Sequence, residues 1–181
     1  MDMLYLDNNA EIRDLFREVE GVSQHGLDEL FNQDVIEGKR SFAEAVIQAG
    51  IVSREDLFTL ISQYLSYELQ VGEPSSVEAD VLSIIPQETA HQYGVVPLYV
   101  SNDGIHLLAL DPFNASIIDD LTFALNLEVS IVVCDPLWVS GLIDRYYGKN
   151  QSSMDDLLAD TGLEQFENLD EAKEGDLVDA A

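Results

Sequence analysis

The chain has 181 residues, 46% of them apolar, enough for the core of one ordinary domain or of two small ones. Thirty-five acids oppose eight bases, and no lysine or arginine stands between Arg54 and Arg145. Phosphate-rich ligands need cations or converging N–H groups, so nucleic acid and anionic membrane make poor partners for that stretch, and no apolar run approaches the roughly 20 residues that span a bilayer.

The first helix is expected to be capped by Asn9 and to run to about Val19, with Ile12, Leu15, Phe16 and Val19 at helical spacing. After a break at Gly21 to Gly26, a second amphipathic segment carries Leu27, Leu30, Phe31 and Val35 up to a stop at Gly38. Ser41 and Glu44 have the spacing of a capping box, Phe42, Val46 and Ala49 form a buried stripe, and Gly50 sits where a helix wants a left-handed residue past its end. Ser53 then caps a longer helix to about Tyr67, its apolar face made of Leu57, Leu60, Ile61, Tyr64 and Leu65. The product is a helical hairpin joined at Gly50-Ile51-Val52. Glu68 to Val71 reads as a short strand, and the turn-forming run Gly72 to Ser76 marks a domain boundary.

Beyond it, Val77 to Ile85 gives a helical turn or two, and Pro86 opens a helix over Gln87 to Tyr93 that Gly94 ends. Two β-branched and apolar runs flank Asn102-Asp103-Gly104 and predict a β-hairpin over Val95 to Pro112, expected to lie in the middle of a sheet. Asp111-Pro112 stops it, because proline cannot donate to the ladder. Asn114 is expected to cap a helix to about Leu125 whose Ile117, Ile118, Leu121 and Leu125 stripe covers one face of that sheet. A strand follows over Glu128 to Cys134. Asp135-Pro136 then reads as a cap and first helical residue, opening a helix to about Tyr147. The fold class is α+β: an N-terminal helical module followed by a small three- to four-stranded sheet packed with helices. The expected organisation is N-terminal helices over 1–38, the helical hairpin over 39–72, the small α+β domain over 73–148, and an acidic linker or tail over 149–181. That last stretch carries ten acids against one lysine after Asn150 and one candidate short helix at Met154 to Ala159.

Few residues point to chemistry. His25, His91 and His106 have no metal-ligand spacing and no cysteine partner, and His106 reads as a hydrogen-bonded histidine at the sheet surface. The lone Cys134, in VSIVVCD, reads as a buried thiol. Asp119-Asp120 and Asp155-Asp156 are neighbours in sequence and diverge by about 100° on a helix, so they form solvated faces and no paired site. Trp138 and Tyr146-Tyr147 fall mainly at core positions, where an exposed edge could anchor a partner. Lys39-Arg40 is a cationic pair ahead of a helix cap, an ordinary surface or an anion site.

Four runs in order, IIPQETAHQYGVVPLYV, LLALDPFN, IDDLTFALNLEVSIVV and IDRYYG, resemble the N-terminal region of type II secretion and type IV pilus assembly ATPases. SFAEAVIQAGIVSREDLFTLISQ resembles the helical module that precedes that region, and the acidic tail is similar to the linker into the ATPase core. No GxxxxGK[ST] occurs, so the chain by itself is not the motor and reads as a fragment or a stand-alone relative. The resemblance implies ATP and magnesium only in a downstream domain, a full-length protein that is a hexameric ATPase, and no nucleic acid or membrane insertion. It implies a cytoplasmic, non-catalytic domain that docks onto the cytoplasmic part of an inner-membrane platform protein. It also implies an alternative, a cyclic di-GMP-responsive module. Aligned on Gly50 and Leu57, the family's Arg-Leu-Gly opening falls at Ser41-Phe42-Ala43 and its closing glutamine at Tyr64, with Arg40 and Gln63 one position away. Arg40, Gly50 and Leu57 are then what remains of the nucleotide motif. A stand-alone regulator is the third reading.

Overall fold

The computed structural model describes residues 6–17 and 19–148. Helix α1 (Asn9–Leu15) starts one residue after its cap position, Asn8, and ends four residues short of Val19. Asn9 acts across space: its Oδ1 accepts the Phe42 N–H at 2.7 Å, at the start of α3 (Phe42–Gln48). Phe42 is the hub of the helical core. It is fully buried and meets Phe16 edge-on at 6.3 Å between ring centres and Phe31 at 5.5 Å. Phe31 begins a π-helical stretch, Phe31–Ile36, that continues α2 (Gln24–Leu30).

The two local caps read from sequence are formed. Ser41 Oγ accepts the Glu44 N–H at 3.3 Å, and Ser53 Oγ accepts the Asp56 N–H at 3.1 Å at the start of α4 (Arg54–Leu65). Between them Gly50 has φ +70°, with Gly50 N–H bonded to the Ile47 carbonyl and Ile51 N–H to the Val46 carbonyl, both at 3.0 Å. This pair of bonds is a Schellman closure, which satisfies the carbonyls that a helix end leaves open. Leu27, Val46, Leu57 and Ile61 complete the helical core.

A mixed four-stranded sheet follows, in the order β1 (Glu68–Leu69), β4 (Val129–Val133), β3 (Gly104–Ala109), β2 (Val95–Ser101). Pairs β1/β4 and β4/β3 are parallel, and β3/β2 is the expected antiparallel hairpin. The hairpin is not the middle of the sheet. Of its two strands only β3 is interior; β2 is the edge, because the chain supplies its extra strand beside β4 and pairs no described strand outside β2. Pro97 and the register shift between Pro97 and Tyr99 suit an edge, where a missing N–H is tolerated. At the turn, Gly104 has φ +129°, and a Cβ there would lie 2.1 Å from the Glu128 carbonyl oxygen, so this close strand approach requires glycine.

Helix α7 (Ser116–Leu125) packs Ile117 and Leu121 against Ile105, Leu107, Val129 and Ile131 on one sheet face. Asn114 does not cap it directly; its Oδ1 accepts the Ser116 hydroxyl at 2.6 Å, and Ala115 holds the cap position. Helix α8 (Pro136–Tyr147) packs Val139, Leu142 and Ile143 against Val96, Leu108 and Val132 on the other face. Short helices α5 (Ala79–Leu82) and α6 (Gln87–Tyr93) precede the hairpin. Strand β4 joins the two regions: Val133 belongs to the helical core, where Leu69 and Phe113 also pack. The described residues, Gly72 among them, cluster as one compact unit. The tail over 149–181 and its candidate helix lie outside the described residues.

Candidate docking cleft

Ser53 caps α4, which places Arg54 in its first turn, and Asp135, two residues past the end of β4, caps α8. These positions, 81 residues apart, face each other. Arg54 Nη2 donates to Asp135 Oδ1 at 2.8 Å and Nε to Oδ2 at 2.5 Å, a two-pronged pair in which the Asp135 residue is only 8% exposed. The same Oδ1 accepts the Leu137 N–H at 3.0 Å, as the Asp-Pro reading expected of a cap. One carboxylate thus fastens the helical region to the end of the parallel strands.

Beside this clamp lies a cleft of about 150 Å³. Its walls are Phe58 and Thr59 of α4, Leu69 of β1 with Gln70 to Gly72 after it, and Trp138 in the first turn of α8. Most of the lining is apolar, and Val71 stands at the rim 84% exposed. The chain leaving it is tied to α8: Glu73 pairs with Arg145 at 2.9 Å, Val77 N–H donates to the Tyr146 hydroxyl at 3.0 Å, and Tyr147 donates to the Leu82 carbonyl at 3.0 Å. Burial pushes Tyr147 up to about 12. Cys134, between β4 and the clamp, is buried and likewise pushed up to about 12, chiefly by burial and then by Asp135, so its thiolate is suppressed.

The structure separates the roles of the three sequence-marked residues. Arg40 Nε pairs with Asp34 Oδ1 at 3.2 Å, and its Nη1 donates to Gln48 Oε1 at the last turn of α3. Gly50 follows that turn, with open space where a side chain would project. Leu57 is fully buried in the helical core. His106 lies on the sheet as expected: its Nε2 is 3.1 Å from Ser101 Oγ, its ring stacks on Tyr99 at 4.2 Å, and Nδ1 is 3.8 Å from Glu68. The Tyr99 hydroxyl donates to Glu68 at 2.7 Å, which raises its pKa. Arg54, Asp135 and the cleft were not legible as a site. Sequence showed Asp135 only as a cap and Arg54 only as the last base before a base-free stretch, and no local spacing signals their pairing.

Residues 65–153 match the MshEN domain model. The segment with Arg40, Gly50 and Leu57 precedes that match. The chain is 27% identical over 133 residues to the type IV pilus assembly ATPase PilB of Myxococcus xanthus, covering 70% of this chain and 24% of that protein. It is 28% identical over 115 residues to PilB of Thermus thermophilus, covering 61% of this chain and 13% of that protein. The chain therefore spans a quarter or less of the length of these curated relatives. Among solved structures, MshE with cdg superposes with a TM-score of 0.63 at 23% identity, covering 75% of this chain and 98% of that one. The N-terminal domain of XpsE superposes with a TM-score of 0.49 at 20% identity, covering 81% and 100%. Residues 65–153 carry an MshEN domain, and the chain is similar to part of the type IV pilus assembly ATPases PilB.

Proposed function

We propose that this chain is a docking and regulatory domain, and that the cleft between α4 and α8 receives the cytoplasmic part of an inner-membrane platform protein. The observation that carries the reading is the apolar cleft itself, with Trp138 in its wall and Val71 exposed on its rim. Aromatic anchors in pockets supply most of the binding energy of protein interfaces, and an acid-rich surround steers a basic partner and raises the encounter rate. The clamp makes the cleft a rigid receptor, because one wall belongs to the helical region and the other to α8. In a full-length ATPase this arrangement would pass motion from the motor to the platform, with ATP and magnesium handled in a downstream, hexameric domain. Calorimetric titration of the full chain with the platform's cytoplasmic domain tests the reading. Micromolar or tighter binding is expected, weakened at least tenfold by Val71→Asp; no heat at 100 μM partner sinks it.

A second reading, cyclic di-GMP sensing, is favoured by one observation. Arg40 is held against the end of α3, next to the open backbone of Gly50, and the similar MshE was solved with cdg. Arg40 would meet the nucleotide's phosphate or guanine, Gly50 would allow close approach, and Leu57 would support the site from the core. Titration with cyclic di-GMP that gives neither heat nor a thermal shift at millimolar ligand removes this reading.

A further inference from the structure

Helix α7 presents a second surface, separate from the cleft. Its inward stripe, Ile117 and Leu121, is spent on the sheet. Phe123 points the other way and is 91% exposed, the largest exposure of any large apolar side chain among the described residues. Ala124 is exposed beside it, and Leu127 follows at 39% exposure, just past the left-handed Asn126 at φ +53°. A phenyl ring left almost wholly in water forgoes its burial energy without serving the fold.

Acids frame this apolar row. Asp119 and Asp120 lie one turn before Phe123, and Glu128 lies beyond Leu127. The Glu128 carbonyl accepts the Ile105 N–H at 2.9 Å, which brings the hairpin turn with Asp103 to the same end of the helix. Among the described residues Asp103, Asp119 and Glu128 pair with no cation, and no lysine or arginine stands between Arg54 and Arg145 in the sequence. A second copy of this chain brings the same charge, −27, and an anionic lipid surface brings the same sign. Both are repelled, and a basic partner is attracted.

We propose that the outward face of α7 is a docking surface for a basic amphipathic helix, whose apolar stripe covers Phe123 and Leu127 and whose lysines or arginines meet Asp119, Asp120, Glu128 and Asp103. The inference is independent of the cleft and survives its failure. The test uses the full isotope-labelled chain and a 14-residue helical peptide of leucine and lysine, with a leucine and glutamate peptide as control. Saturable amide shifts are expected over residues 119–128 with the lysine peptide alone. Phe123→Ser is expected to weaken the affinity at least tenfold while leaving the melting temperature unchanged, since the ring packs on nothing. The pair Asp119→Asn with Asp120→Asn is expected to weaken binding several-fold at 50 mM salt and less at 300 mM. The proposal is overturned if no saturable binding occurs, if the largest shifts fall on the α4–α8 cleft or elsewhere, or if Phe123→Ser binds as tightly as the parent. Self-association or anionic-vesicle binding that Phe123→Ser abolishes would give the face to another occupant and also overturn it.

Discussion

Asp135 serves two elements with one carboxylate, holding the Arg54 guanidinium and the first free N–H of α8. Removing it by Asp135→Ala leaves a partly buried guanidinium without its fork and a helix without its cap. The expected loss is about 2–4 kcal/mol in urea unfolding, whereas Asp135→Asn, which keeps the cap, loses about half as much. Gly104→Ala is expected to be severe, about 3 kcal/mol or more, because the clash is with the Glu128 backbone and no side chain can swing aside. Leu57→Ala is expected to lower stability by about 2–5 kcal/mol as a cavity in the helical core, whatever it does to a nucleotide. Cys134 and Tyr147 set an alkaline limit. Their ordinary values of 9.0 and 10.0 are both raised to about 12 by burial, so the unfolded chain loses protons that the folded chain keeps. The stability these two groups contribute is therefore constant below about pH 8.5 and falls above it, for Cys134 at about 1.4 kcal/mol per pH unit. Cys134→Ala, less stable at neutral pH, should show a shallower fall between pH 9 and 11 in urea midpoints. Residues whose roles are local were legible beforehand: Ser41, Ser53, Gly50 and Asp135 announce caps within four positions of their partners. Arg54 did not announce its partner, because nothing in its neighbourhood encodes a contact 81 residues away.

At the scale of elements, α3 shows how a short helix is made secure. Seven residues are too few to be stable alone, and three features compensate: the Ser41 cap, the remote acceptor Asn9, and the Schellman closure at Gly50. Gly50→Ala has room for its methyl group but must keep φ +70°, so it is expected to cost about 1 kcal/mol by thermal unfolding. Helix and strand identities were readable from the chain because their apolar spacings differ, 3.6 against 2, and Val95 to Leu125 follows both patterns without conflict. The place of the hairpin in the sheet was not. That depends on β1, a two-residue strand with no periodicity to read, whose pairing beside β4 makes β4 and β3 the interior and leaves β2 outside. Asn9 and Asn114 misled for a related reason, since an asparagine oxygen caps whichever N–H the fold brings to it.

For the whole molecule, the described residues form one body in which β1, Val133 and the Arg54–Asp135 pair join helices to sheet. The resemblance was legible because its motifs keep their order along the chain; the proposed docking cleft was not, because it gathers residues from distant segments. The central claim is that the α4–α8 cleft is where the platform protein docks. Hydrogen exchange on the full chain, with and without that partner's cytoplasmic domain, tests it most directly. Slowed exchange is expected at the amides of Gln70 to Gly72 and at the first turn of α8 around Trp138, with Val71→Asp abolishing it. Protection that falls elsewhere, or that survives Val71→Asp, would contradict the claim.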